Sequence, residues 1–136
     1  MASHTRGVVA VVIDDSRWLV IRRSASVRAP GKICFPGGGL EQGESEQDAI
    51  VREMQEELRV SVAPLSRLWE CLTSWEVQLA WWHVELLETP QAITPNLAEV
   101  AECFWLTPDE IGEMPDLLSS NRDFLAAWRA GAFQLP

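Results

Sequence analysis

Histidine and cysteine are scarce in this sequence, tyrosine is missing, positive charge is in short supply, and the apolar stretches are brief. Most of these shortages exclude something at once. The two histidines, His4 and His83, and the widely spaced Cys34, Cys71 and Cys103 form no Cys-x-x-Cys pair. A His/Cys zinc site and a disulfide framework are therefore not expected; reduced, mostly buried thiols are. The run Gly7-Val-Val-Ala-Val-Val-Ile13 falls well short of the roughly 20 residues that span a bilayer. The opening Met1-Ala-Ser-His-Thr-Arg6 lacks the layout of a secretory signal, so a cytoplasmic protein is expected. A formal charge of −9 repels extended nucleic acid and anionic membrane surfaces at long range. A small anionic ligand, held by local cations or backbone N–H groups, remains compatible with it.

What is present fits one domain over residues 1–136, with 47% apolar and 23% charged residues. Residues 7–13 and 17–23 read as strands around the turn Asp14-Asp-Ser16. Residues 24–45 read as a long loop with a short apolar piece at Ile33-Cys-Phe35, and long loops in compact domains are often functional. Ser45, with Asp48 three residues on, starts a helix that runs to about Leu58. Residues 66–73 and 76–87 read as further strands, and 99–106 ends in another short one. Thr107-Pro-Asp-Glu110 opens a short helix with Pro108 at its first position, and Ser120-Asn-Arg-Asp123 opens a last one that ends before Gly131. Strands and helices mix without regular βαβ alternation. The expected fold is one α/β or α+β domain, a mixed sheet covered by helices.

The segment Arg52-Glu-Met-Gln-Glu-Glu57 is unusual. At ~100° per residue, Glu53, Glu56 and Glu57 share one arc of the helix, beside an apolar arc of Ile50, Val51, Met54 and Leu58. Like charges at these spacings repel by roughly 0.2–0.5 kcal/mol per pair, and partial shelter raises their pKa values unless a cation sits among them. Mg²⁺ or Mn²⁺ suits such hard oxygen ligands. An acidic helix face alone is more often just solvated. The preceding Phe35-Pro-Gly-Gly-Gly39 changes that balance, because glycines let peptide groups come close to a ligand or metal.

Gly38, Glu44 and Arg52-Glu-Met-Gln-Glu-Glu-Leu-Arg-Val60 together resemble the Nudix box, G-x5-E-x7-R-E-U-x-E-E-x-G-U with U aliphatic. Every charged position of that pattern is present. The leading strands, the Phe-Pro-Gly-Gly stretch and the late Glu-x-x-Glu-x-x-Trp-Leu segment are looser likenesses. One position departs: the family's glycine is Arg59 here, where a helix end commonly needs positive φ. The resemblance implies the Nudix fold, an α/β/α sandwich, and Mg²⁺-dependent hydrolysis of a nucleoside diphosphate linked to another moiety. It makes Glu56 and Glu57 the metal ligands, with Glu53 a ligand or a neighbour of the attacking water and a carbonyl at Gly37-Gly38 joining them. Arg52 then orients the glutamates, and Glu44 supports the loop and Arg52. The general base is left open between Glu53, Glu99 and Glu102, with Glu99 preferred over Glu102.

For the substrate, Arg22 and Arg23 alternate faces, so one of them can reach a phosphate; Arg28 and Lys32 are further candidates. Gly37, Gly38 and Gly39 are expected to flank the substrate. Phe35, Trp75, Trp81 and His83 are candidates for a base pocket. The missing tyrosine argues against the family's dinucleoside-polyphosphate branch, and no proline stands where the ADP-ribose branch carries one. Short length and Phe-Pro-Gly-Gly favour a MutT-like nucleoside triphosphate pyrophosphohydrolase, whose nucleotide can be oxidised. ADP-ribose, coenzyme A and a catalytically silent nucleotide-binding module are the alternatives. Oligomeric state is left open between monomer and homodimer.

Overall fold

The computed structural model describes residues 5–136; His4 and the rest of the first four residues lie outside it. Strand β1 (Thr5–Val11) leads to the short β2 (Ile13–Asp14), which pairs with β3 (Arg17–Arg23). Asp15 and Ser16 join them, both with positive φ. This is the geometry that the right-handed twist of a two-residue hairpin demands, and Asp is among the residues that tolerate it. Two further short strands come next, β4 (Ile33–Cys34) and β5 (Gly37–Gly39), then α1 (Glu46–Leu58). After them come β6 (Val62–Leu72), β7 (Val77–Leu86), β8 (Val100–Leu106), α2 (Pro108–Gly112) and α3 (Ser119–Arg129).

The expected single mixed sheet is divided into two. One runs β5-β1-β7-β6, with β1 and β7 parallel and the outer pairs antiparallel. The other has β3 between β8 on one edge and β2 and β4 on the other. Strand alternation then builds two cores. Val8 and Ala10 of β1, Leu19 and Ile21 of β3, and Ala80 and Trp82 of β7 pack towards Ile50, Met54 and Leu58 of α1. Val9, Val11, Trp18, Val20 and Trp81 pack on the opposite side with Phe124 and Leu125 of α3. The result is helix, sheets, helix, the α/β/α sandwich expected from the sequence.

Three local differences have physical causes. The loop over 24–45 contains β4 and β5; a triple glycine has no strand propensity, so pairing with β1 decides its conformation. Gly37 and Gly38 serve close approach rather than positive φ. A Cβ on Gly37 would strike the Val8 carbonyl, and one on Gly38 would lie 2.5 Å from both carboxylate oxygens of Glu53. Helix α3 begins at Ser119 with Leu118 in the cap position and no side-chain cap bond. The expected start at Ser120 is thus corrected: Ser120 lies inside the helix, where its hydroxyl accepts from Asn121 Nδ2. Val51, expected in the core, is 39% exposed.

Candidate active site

Helix α1 carries the acids, and its ends are fixed differently. At the start, Ser45 Oγ accepts from the Asp48 N–H at 3.0 Å. At the end, Arg59 takes the left-handed conformation (φ 56°) that a glycine would adopt without strain, and its N–H reaches the carbonyls of Gln55 and Met54. The helix therefore ends as the glycine-bearing pattern predicts, at some cost in backbone strain. Between these ends, Ile50, Glu53, Met54, Glu57 and Leu58 form one buried stripe. Glu53 and Glu57 are not half sheltered but almost fully buried, at 9% and 7% exposure.

Glu57 lies against β5, where its Oε1 accepts from the Gly37 N–H at 3.0 Å. Burial first, and the charge of Glu53 second, push its carboxyl up to about 8. Burial likewise raises Glu53 to about 7, although Arg52 Nη1 donates to it at 2.9 Å. Glu99, in the loop before β8, adds its charge to both. Its Oε2 is buried without a hydrogen-bond partner. Glu56, on the exposed side, is held by Arg52 Nη1 at 3.1 and 3.2 Å. Arg52 also donates to Glu44 at 2.8 and 2.9 Å and to the Gly39 carbonyl at 2.8 Å. Those bonds, with one from the Glu41 N–H, hold the Glu44 carboxyl down near 2.

The set is open: among the described residues, no three His, Cys, Asp or Glu side chains form a ready-made metal cage. Its chemistry still fits a hard divalent cation. Two buried carboxyls are uncharged or charged only at an energetic cost, a third acid has an orphaned buried oxygen, and all the donors are oxygen.

Beside the carboxylates lies a cavity of about 280 Å³, and Gly37, Gly38 and Gly39 form the wall between them. Arg23, Phe35 and Trp75 line it. Arg23 Nε donates to the Arg28 carbonyl at 2.6 Å, and the Arg28 guanidinium lies 5.6 Å from the centre of the exposed Trp75 ring. Other candidates are elsewhere. Arg22 is turned away, to Asp116 and the Gly31 carbonyl. Lys32 is not among the cavity's lining residues and acts on Asp116. Trp81 is wholly buried and stacks on Phe124 at 4.4 Å. His83 lines a separate cavity with Asp14 and Trp105. Glu102 is exposed on β8, opposite Arg22. Trp81 and His83 are thus corrected: both share the face by which Val77 and Leu79 of β7 reach the cavity, but Trp81 lies further along, stacked on Phe124, and His83 further still.

Ser120 and Asn121 were not foreseen. Both are buried polar groups on α3 at the cavity, and Asn121 Oδ1 accepts from the Phe35 N–H at 2.8 Å. The sequence signal was misleading, because Ser120 reads equally well as a cap.

The NUDIX domain family model matches residues 3–128. The chain belongs to that family. A MutT-like protein of Streptomyces ambofaciens is 33% identical over 113 residues, covering 81% of this chain and 68% of that one. The 8-oxo-dGTP diphosphatase of Escherichia coli K12 is 38% identical over 48 residues, which span 35% of this chain and 37% of the relative's own length. The crystal structure of a MutT protein from Methanosarcina mazei Go1 shares the fold, with a TM-score of 0.77 at 22% identity over 96% of both chains. The chain is a MutT-like Nudix hydrolase, and no helix among its described residues is long and apolar enough to cross a membrane.

Proposed function

We propose that this Nudix hydrolase cleaves a nucleoside triphosphate, with water, to the nucleoside monophosphate and pyrophosphate, using Mg²⁺ or in its place Mn²⁺, in the cytoplasm. The observation that carries the reading is the shared glycine wall. Gly37 and Gly38 touch Glu57 and Glu53 on one side and line the cavity on the other. A phosphate chain lying along β5 would bring its phosphorus atoms to the acids while its base entered the cavity.

In this reading Glu53, Glu56, Glu57 and the Gly37 carbonyl hold the ion. When bound, the ion neutralises phosphate charge and makes water more acidic. The residues of the chain supply the rest. Arg52 fixes the orientation of Glu53, Glu56 and Glu44. Glu99 takes the proton from the attacking water; its orphaned oxygen favours it over Glu53, whose carboxylate is engaged by Arg52. Arg23 meets phosphate oxygens, and Phe35 and Trp75 border the base. The name of the Escherichia coli relative makes an oxidised guanine nucleotide the first to test.

The test is a substrate panel with Mg²⁺: ordinary and oxidised nucleoside triphosphates, ADP-ribose, diadenosine polyphosphates and coenzyme A, with products read by phosphorus NMR. The expected products are a monophosphate and pyrophosphate. Preferential turnover of ADP-ribose or coenzyme A would replace the triphosphate reading. Tight nucleotide binding with no turnover at all would mean a silent binding module.

A further inference from the structure

Helix α1 ends with four carbonyls that have no partner within the helix. The Arg59 N–H takes that of Gln55 at 3.0 Å. The other three are bonded by a loop distant in sequence: Thr94 N–H donates to Leu58 O at 2.9 Å, Asn96 N–H to Glu57 O at 2.8 Å, and Asn96 Nδ2 to Glu56 O at 3.1 Å. The same asparagine organises the loop residues after it. Its Oδ1 accepts from the Ala98 N–H at 3.2 Å, and its carbonyl accepts from the N–H groups of Glu99 and Val100 at 2.9 and 2.8 Å. Ser24 completes the hold from β3's end, with its hydroxyl on Ala98 O and its N–H on Glu99 O. Among the described residues, Asn96 is thus the one bonded to the backbone of Glu56, Glu57 and Glu99 together.

We infer that Asn96 is a positioning residue that locks the Glu99 loop onto the end of the carboxylate helix, so that the base on one chain segment is held in register with the cation-holding acids on the other. This rests on the proposed reading of Glu99 and α1. A loop whose only role was to cover the helix would need one or two of these bonds. Here every backbone N–H from Ala98 to Val100 is directed by Asn96. Removing its side chain takes away two of these bonds, those to Glu56 O and from the Ala98 N–H, and leaves the loop tied to the helix by backbone bonds alone.

The test titrates Mn²⁺ alone into the full chain by calorimetry or electron paramagnetic resonance, for wild type, Asn96→Ala, Glu99→Gln and the double variant. Asn96→Ala is expected to weaken Mn²⁺ binding by roughly tenfold or more, the size seen when groups supporting metal ligands are removed. It should lower kcat while leaving KM for nucleotide nearly unchanged. In kcat, the combination with Glu99→Gln should cost little beyond Glu99→Gln alone, because both act through the one carboxylate that takes the proton. Additive losses, or wild-type Mn²⁺ affinity in a folded Asn96→Ala, would overturn the inference and leave the catalytic reading intact. Absence of Mn²⁺ binding by the wild type would instead overturn the catalytic reading. Should Asn96→Ala fail to fold, Asn96→Ser keeps an oxygen for the Ala98 N–H, removes the bond to Glu56 O, and carries the same expectations.

Discussion

Two sets of glutamates on and around one helix behave oppositely. The inner pair, Glu53 and Glu57, is buried beside the glycine strand, and both carboxyls are pushed up, to about 7 and about 8. The outer pair, Glu44 and Glu56, shares Arg52, and Glu44 is held near 2. Chemistry and sequence neighbourhood are the same, so the difference lies in solvation and in the placing of one guanidinium. Glu53 shows which effect wins: it touches Arg52 at 2.9 Å, yet its desolvation outweighs the attraction. The inner pair therefore stores an unmet demand for positive charge, and the outer pair has its demand met by the protein itself. A bound cation would serve the first set and compete with Arg52 at the second.

The sharpest way to break the comparison is Glu57→Gln. If the inner pair holds the ion, this variant loses roughly 10³-fold or more in turnover with an unchanged circular dichroism spectrum. Near-wild-type activity would remove Glu57 from the site. Next comes Arg52→Ala, which strips the outer set of its cation and takes a bond from Glu53. It should destabilise the fold by about 2 kcal/mol, since several charge-assisted hydrogen bonds go at once, read as a fall of several degrees in thermal midpoint. Arg52→Lys should recover only part of this, because an ammonium cannot span Glu44, Gly39 O and Glu56 as the planar fork does. Full recovery by lysine would show that charge alone matters there.

Much of this contrast could be read from the residues beforehand, and some could not. The helix, its Ser45 cap and its acidic arc follow from local spacing, as do the hairpin at Asp15-Ser16 and the capping box of Thr107 and Glu110. Local signals of this kind depend on neighbours within four residues. The split into two sheets depends on which distant strands pair, and β5 has no propensity of its own. The depth of Glu53 and Glu57 likewise depends on β5 lying against α1. Asn121 and Asn96 belong to the same class. Each is an ordinary polar residue until the fold brings it to the cavity or to the helix end. Trp81 shows the reverse: it has the chemistry of a base platform and the parity of the cavity-lining Val77 and Leu79, and only its place further along β7 puts it in the core.

The two sets also predict opposite pH arms in the stability of the chain kept in a chelator. An acid whose folded pKa is raised holds its proton longer when folded. Glu57, and Glu53 less strongly, therefore contribute stability that is complete below about 4.5. That contribution is lost as pH climbs from there through about 8. Glu44 is depressed, so its contribution is complete above about 4.5 and fades as pH falls towards 2. Thermal midpoints measured from pH 3 to 9 should show both arms; Glu57→Gln should flatten the alkaline one and Glu44→Gln the acid one. Added Mn²⁺ should restore stability on the alkaline side, where the inner carboxyls are ionised. An alkaline arm unaffected by Glu57→Gln would mean that burial of this acid is not what sets it.

The smallest effect separates Glu56 from its inner neighbours. Its side chain is 46% exposed and its partner is already Arg52, so Glu56→Gln should shift stability in chelator by no more than about 0.5 kcal/mol, the usual worth of an exposed helix pair. The acid arm should stay, and the alkaline arm should relax only slightly, because the Glu56 charge is a lesser cause of the raised Glu53 than burial is. Mn²⁺ affinity should nevertheless fall, because a ligand that has only to exchange Arg52 for the ion is lost. A variant that binds Mn²⁺ as tightly as wild type would confine the metal to Glu53, Glu57 and the Gly37 carbonyl, leaving Glu56 as a surface acid that steadies Arg52. A variant that instead flattened the alkaline arm as fully as Glu57→Gln would show that Glu56 belongs with the inner set.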